Sequence, residues 1–264
     1  DEYLAMPRGC EDAIINMLYS LKIDYEIVDN TNHGKPIGVT FKGKERDEQL
    51  DAINALMPFS NGVLSATTAF GKTVTAAALI ARRKTNTLIL VHSKALLMQW
   101  HERLSEFLDI DFTGDEISKK RGRKKAFSPV GCLDSTSNTL HSVIDIALMQ
   151  SCFENDEVKP FVKGYGMVIV DECHHVSSIT FENVLKHVTA HYVYGLTATP
   201  IRKDGLQPII FMQCGPIRFS VDAKAQIQKQ SFQRYLVPRF TSYRPVTDDK
   251  QSFTALSQSL AESK

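Results

Sequence analysis

The stretch Ser65-Ala66-Thr67-Thr68-Ala69-Phe70-Gly71-Lys72-Thr73 carries the residue types that can wrap a polyphosphate. Such a loop presents successive backbone N–H groups inward, and a helix that follows it adds the positive end of its dipole. Gly71 lets the backbone approach a phosphate closely, Lys72 supplies a point charge to the terminal phosphates, and Thr73 offers a hydroxyl to Mg²⁺. Ala66 and Ala69 stand where loops of this kind often carry glycine. A positive φ at Ala69 would cost about 1 kcal/mol and weaken nucleotide affinity. Further along, Met167-Val168-Ile169-Val170-Asp171-Glu172 is an apolar run ending in two carboxylates. At the carboxyl end of a parallel strand these face the ligand crevice. Asp171 can there hold Mg²⁺, and Glu172 can orient and deprotonate an attacking water. Paired acids after a strand also cap helices; the loop around Lys72 favours the hydrolytic reading. Cys173, His174 and His175 are adjacent and cannot easily bend onto one ion, so they do not read as a zinc site.

The elements that must position these residues are legible as apolar patterns. Gly62–Ser65, Thr87–Val91, Asp145–Met149, Met167–Val170 and Tyr192–Leu196 are apolar and strand-sized. Thr87–Val91 has no polar alternation, as a strand covered on both faces requires. Thr73–Ala81 is alanine-rich and helical, and Leu97, Trp100, Leu104 and Phe107 fall on one face of a helix from Ala95 to Leu108. Strands alternating with helices predict an α/β fold with a doubly wound parallel sheet. Residues 1–40 read as a small N-terminal α/β accessory unit, with Ile14, Leu18 and Leu21 at helical spacing and Tyr25–Val28 alternating like a strand. Residues 109–141 show no periodicity and include the basic run Lys119–Lys125, which suits a solvated loop or a phosphate-backbone contact. From about Ile217 the rhythm is lost. Residues 217–264 read as a linker and the start of something further, and the chain as a piece of a longer protein.

Hydrophobic residues at 43% and charged residues at 23% describe an ordinary globular chain, and no apolar run approaches the roughly 20 residues of a membrane helix. The net charge of +1 predicts no global attraction to nucleic acid, so any such contact must come from local basic surface. Five scattered cysteines with no C-x-x-C pair argue against a zinc ribbon or a disulfide framework, and fit a reduced cytoplasmic setting with no membrane partner.

With these residues in hand, Asp171-Glu172-Cys173-His174 resembles the DExH box of superfamily 2 helicases, and Gly195-Leu196-Thr197-Ala198-Thr199-Pro200 resembles their third motif. The resemblance runs from about Arg46 to Asp204 and is closest to the branch of repair and transcription helicases and restriction translocases. It implies a RecA-like ATP-binding lobe over residues 41–216, using ATP and Mg²⁺ and acting on nucleic acid, duplex DNA above all. It further implies that Arg46 and Gln49 contact the adenine, that His92, Lys94 and Gln150 contact the nucleic-acid backbone, and that His174, Thr197 and Thr199 couple the ATP site to strand movement. Arg202-Lys203-Asp204 resembles an Arg-acid-Asp motif of the repair branch, with Lys203 in place of the acid and suited instead to a phosphate. Such motors bind ATP between two lobes. No Q-x-x-G-R-x-x-R-like segment follows Asp204, so the second lobe is expected outside this sequence, and this segment alone is expected to hydrolyse ATP slowly. Two other readings are a P-loop kinase-like phosphotransferase, which would not need Gly195–Pro200, and a non-catalytic nucleotide- or DNA-binding module, against which the intact Lys72, Thr73, Asp171 and Glu172 speak.

Overall fold

The computed structural model describes residues 5–111, 128–155, 157–174, 179–198, 207–221 and 237–238, without the side chains of Thr68, Ile179 and Gln207. The chain divides into two compact units, 1–226 and 227–264, and the first carries nearly all the described residues. Its elements run α1 (Glu11–Leu21), β1 (Gly38–Phe41), α2 (Asp47–Leu56), β2 (Asn61–Ser65), α3 (Lys72–Arg83), β3 (Thr87–Val91), α4 (Lys94–Phe107) and β4 (Leu108–Asp111). There follow β5 (Val130–Leu133), β6 (Ile144–Leu148), β7 (Phe153–Glu154), β8 (Glu157–Val158), β9 (Met167–Val170), α5 (Ile179–His187), β10 (Tyr192–Thr197), α6 (Gln207–Cys214) and β11 (Ile217–Ser220).

Seven of these strands form one parallel sheet in the order β11-β2-β10-β9-β3-β6-β5. Successive residues of each strand feed opposite faces. Ile89 and Val91 join a core with Ile53, Leu79, Leu97 and Trp100 from α2, α3 and α4. Leu88 and Leu90 join a second core with Val184 and Leu185 of α5 and Ile210 of α6. Helices cover both faces, which is why β2, β3 and β9 are buried along their whole length and show no polar alternation. The expected α/β architecture with a doubly wound parallel sheet is the one observed.

The sheet ends differ from the sequence reading. β5 is an edge strand, and β4 pairs antiparallel with β1 apart from the main sheet; both fall in the stretch read as having no periodicity. β11 pairs with β2 through Ser220, so the lobe's sheet takes in residues beyond 216. Tyr25–Val28, expected as a strand, is extended but pairs with nothing in regular structure, and Tyr25, Ile27 and Val28 stand about half exposed. Alternating apolar residues make a strand only where a partner edge is in reach. Of residues 217–264, read as a linker and the start of something further, those after Val221 lie outside the described residues apart from Val237 and Pro238.

The N-terminal segment is tied to the lobe by polar groups. The Arg8 guanidinium donates to the carbonyls of Val188 and Ala190. The buried Asn86 accepts the amides of Lys35 and Gly166 on Oδ1, at 2.9 and 3.0 Å, and donates through Nδ2 to the Gly164 carbonyl at 2.9 Å. One side chain thus closes three loops at the amino end of the sheet.

Candidate active site

Strands β2, β10 and β9 lie side by side and end at one rim. Thr197 is level with Ser65, and Gly195 is level with both Val63 and Val170. The loop after β2, the acids after β9 and the last residue of β10 are therefore delivered to the same place, and Lys72 stands near enough for its charge to act on the Asp171 carboxyl.

After Ser65 the backbone extends through Thr67, makes one tight turn over Thr68–Phe70, and enters α3 through Gly71 at φ +86°. The left-handed conformation falls on the glycine; Ala66 and Ala69 have negative φ, so the penalty expected at Ala69 does not arise. A Cβ at Gly71 would meet Gln49 Nε2 at 2.6 Å. Gln49 braces the loop from below: its Nε2 donates to the Phe70 carbonyl at 3.0 Å, and its Oε1 accepts the Arg46 amide at 3.0 Å. The Arg46 guanidinium donates to the same Phe70 carbonyl. In α3 the Thr75 amide takes the Gly71 carbonyl, so the amides of Lys72, Thr73 and Val74 have no helical acceptor and point out of the helix start.

The side chains close a circuit. Lys72 Nζ donates to the Ala66 carbonyl at 3.0 Å and lies 3.8 Å from Glu172 Oε1. Glu172 Oε2 is 3.2 Å from His174 Nδ1, and His174 Nδ1 is 3.1 Å from the Thr197 hydroxyl. The Thr197 carbonyl accepts the Ala66 amide at 2.9 Å, which returns to the loop. Glu172 Oε2 is buried and, beyond its 3.2 Å approach to His174 Nδ1, has no hydrogen-bond partner among the described residues. Glu172 also sits at φ +47°, a left-handed conformation that costs about 1–2 kcal/mol in a non-glycine residue.

Asp171 is 6% exposed and uses both oxygens: Oδ2 accepts the Trp100 indole N–H at 2.7 Å, and Oδ1 accepts the Glu172 amide at 3.0 Å. Burial pushes the Asp171 carboxyl above the ordinary carboxylate range. The Trp100 bond opposes that shift, the charge of Glu172 adds to it, and Lys72 opposes it. A dication binds the ionised form, so Mg²⁺-dependent nucleotide binding is expected above the raised pKa and lost as pH falls through it. In the nucleotide-free protein the sign for stability is the reverse: ionised Asp171 costs stability above that pKa, and protonation relieves the cost. Trp100→Phe removes the donor that favours the charged form. It should move the acid limb of Mg-ATP binding to higher pH, read by fluorescent-nucleotide titration across pH.

Several expected residues sit near this centre without facing into the circuit. Thr67 and Thr73 are half-buried, Phe70 is buried and Ala69 exposed. His92 and Lys94 follow β3 and Gln150 follows β6, on the same rim. Gln150 is exposed, whereas Lys94 Nζ pairs with Asp134 Oδ2 at 2.9 Å, a partner the sequence reading did not anticipate. Gln49, expected to contact a base, has both ends of its amide committed to the loop and the turn before α2. Thr199, Arg202, Lys203, the Thr68 side chain and the basic run at 119–125 lie outside the described residues. Trp100 is the functional neighbour that the sequence reading placed only in the core. The available signal was that it is the one tryptophan of the chain, and a buried indole N–H usually finds a partner.

Gly195 sets the depth of β10 in this arrangement. A Cβ there would meet Cys173 Sγ at 2.9 Å, Cys214 Cβ at 3.2 Å and Val63 Cγ2 at 3.2 Å, all in buried residues. Gly195→Ala is expected to destabilise by about 1–3 kcal/mol through overpacking, seen as a lowered Tm in thermal denaturation.

The family profile described as "Type III restriction enzyme, res subunit" matches residues 42–202, more than half of the chain. Protein 109L of Invertebrate iridescent virus 3, a candidate helicase by its name, is 32% identical over 199 residues, covering 73% of this chain and 57% of its own. The DNA 3'-5' translocase XPB2 of Sulfurisphaera tokodaii is 26% identical over 200 residues, covering 75% of this chain and 41% of its own. The chain thus spans about half the length of the curated relatives it matches, or less. Among solved structures, the UvsW helicase from Bacteriophage T4 superposes with a TM-score of 0.56 at 14% identity, over 80% of this chain and 78% of that one. At that identity the likeness speaks for the fold. Matched by that family profile over the span holding the loop before α3, the paired acids and Thr197, the chain belongs to the type III restriction enzyme res-subunit family and carries a RecA-like lobe of the superfamily 2 type.

Proposed function

We propose that this lobe binds Mg-ATP and, in the whole protein, couples its hydrolysis to movement along duplex DNA. The observation that carries the reading is the circuit Ala66–Lys72–Glu172–His174–Thr197, which ties the phosphate loop, the paired acids and the end of β10 into one hydrogen-bonded and ion-paired unit. The residues fit the nucleotide. Three amides at the start of α3 are free of helical acceptors, a glycine backbone faces the loop, and a buried cation sits at its base. They also fit a magnesium ion, whose chemistry is to neutralise charge on the phosphates. Asp171 and the Thr73 hydroxyl would hold it.

Lys72 exchanges the Ala66 carbonyl for a phosphate oxygen. Glu172 takes a proton from the attacking water through Oε2. His174 and Thr197 then register the change in charge at Glu172, and Thr199 extends the same path. His92, Lys94 and Gln150 on the rim, with Arg202 and Lys203, supply the nucleic-acid contacts, Lys94 after leaving Asp134. Arg46, Gln49 and residues 66–73 form the nucleotide pocket. Residues 1–40 act as an accessory unit, 41–216 with β11 as the lobe, and 217–264 as the passage toward a second lobe that brings arginines to the transferred phosphate. A reduced, cytoplasmic setting suits the five unpaired cysteines; among the described residues no helix is long and apolar enough to cross a membrane. Duplex DNA is favoured because XPB2 is named a DNA translocase and the SWI2/SNF2 ATPase core of Sulfolobus solfataricus, 16% identical with a TM-score of 0.50, was solved with double-stranded DNA.

The test is phosphate release by the whole protein with duplex DNA, single-stranded DNA, RNA or no polymer. Stimulation greatest with duplex DNA is expected. Turnover indifferent to every polymer, with phosphate passed to a small acceptor, would overturn the motor in favour of a phosphotransferase.

A further inference from the structure

At the opposite end of β10 from Thr197, three side chains of metal-binding type converge. Asp29 Oδ2 lies 3.1 Å from His33 Nε2 and 3.3 Å from His191 Nδ1, and the three atoms fall within 4.8 Å of one another. Ligand atoms bound tetrahedrally at roughly 2.0–2.2 Å from one zinc ion are about 3.3 Å apart. The two measured edges therefore already match a coordination sphere.

The cluster is held in place by its surroundings. The Thr31 amide and hydroxyl both donate to Asp29 Oδ1, at 2.8 and 2.6 Å, which leaves Oδ2 turned toward the imidazoles. The Thr189 carbonyl accepts the Asn32 amide at 2.7 Å, and the Asn32 carbonyl accepts the His191 amide at 2.9 Å, so the backbones carrying His33 and His191 are locked side by side. The two imidazoles stack with centroids 4.1 Å apart.

We infer that Asp29, His33 and His191 form a binding site for a divalent first-row transition ion such as Zn²⁺, which clasps the N-terminal segment to the start of β10. Two nitrogen donors select such an ion over Mg²⁺ or Ca²⁺, and the exposed side of the cluster leaves the fourth position to water. The Thr31 hydroxyl, 2.8 Å from His191 Nδ1 without metal, keeps its bond to Asp29 when the ion takes that nitrogen. Metal binding here pins residues 29–33 to a strand some 160 positions further on, at the end of the sheet away from the phosphate loop. The site is thus independent of nucleotide chemistry.

The experiment titrates the metal-stripped chain with Zn²⁺ and, separately, Mg²⁺ by calorimetry, and records the visible spectrum with Co²⁺. One Zn²⁺ per chain, a tetrahedral Co²⁺ spectrum and a zinc-dependent rise in Tm are expected. The double variant His33→Asn/His191→Asn should weaken Zn²⁺ binding by ~10-fold or more and lose the Co²⁺ spectrum. The variant His187→Asn, whose exposed ring bonds the Asn183 carbonyl of its own helix, should keep both. Absence of a stoichiometric Zn²⁺ or of the tetrahedral spectrum in the unmutated chain overturns the inference, as does unchanged binding in the double variant. The unmutated spectrum decides the matter even where a variant folds poorly.

Discussion

Glu172→Gln is expected to lower ATP turnover by about 10²–10⁴-fold while leaving Mg-ATP affinity within a few-fold of the parent protein. The amide keeps the shape of the side chain, and its oxygen can still face Lys72, but it cannot accept a proton from water. The geometry makes the loss large because nothing else described at the site can replace the base. Asp171 has both oxygens engaged by Trp100 and the Glu172 amide, and the His174 ring is turned to Glu172 and Thr197. The strained backbone at Glu172 is retained, since glutamine meets the same left-handed conformation. Single-turnover phosphate release beside equilibrium binding separates the two effects. Hydrolysis within tenfold of the parent would remove Glu172 from the role of base.

The centre of this fold was readable because its strands are buried on both faces. Thr87–Val91 and Met167–Val170 match the observed β3 and β9 residue for residue, since an unbroken apolar run bounded by polar residues admits little else. The periphery was not readable for the converse reason. β5 is a four-residue edge strand containing Gly131, and β4 pairs with β1 across almost seventy positions of chain, so neither carries a periodic signal of its own. Tyr25–Val28 shows the opposite failure, a strand-like pattern with no edge to join. At the site, the acids and the lysine were legible from type and context. What spacing cannot convey is who bonds whom: the Trp100 indole on Asp171, Asp134 on Lys94, and His174 between Glu172 and Thr197. The Asp29–His33–His191 cluster was invisible for the same reason, because one ligand comes from the far end of the lobe.

Lys72→Ala should act on both binding and turnover, which distinguishes it from the change at Glu172. Lys72 is 7% exposed, so its charge is kept in a place where water screens it little. A charge-assisted hydrogen bond of that kind contributes about 1.5–3 kcal/mol, which corresponds to a ~10- to 100-fold loss of Mg-ATP affinity. A donor that follows the phosphate as charge develops contributes in addition to the rate, and removing one such donor typically lowers kcat by ~10²–10³-fold. The nucleotide-free protein changes as well. Without the cation, Asp171 and Glu172 face each other unrelieved, and the Asp171 carboxyl, already raised by burial, rises further. The acid limb of residual Mg²⁺-dependent binding should therefore move to higher pH, in the same direction as for Trp100→Phe. Lys72→Arg tests whether charge alone suffices. The planar guanidinium is wider than an ammonium and must fit beneath a loop whose Ala66 carbonyl lies 3.0 Å from Nζ, so it should rescue little of the affinity. Full recovery by arginine would mean that the lysine acts only as a distant counter-charge and that its contact with the loop is incidental.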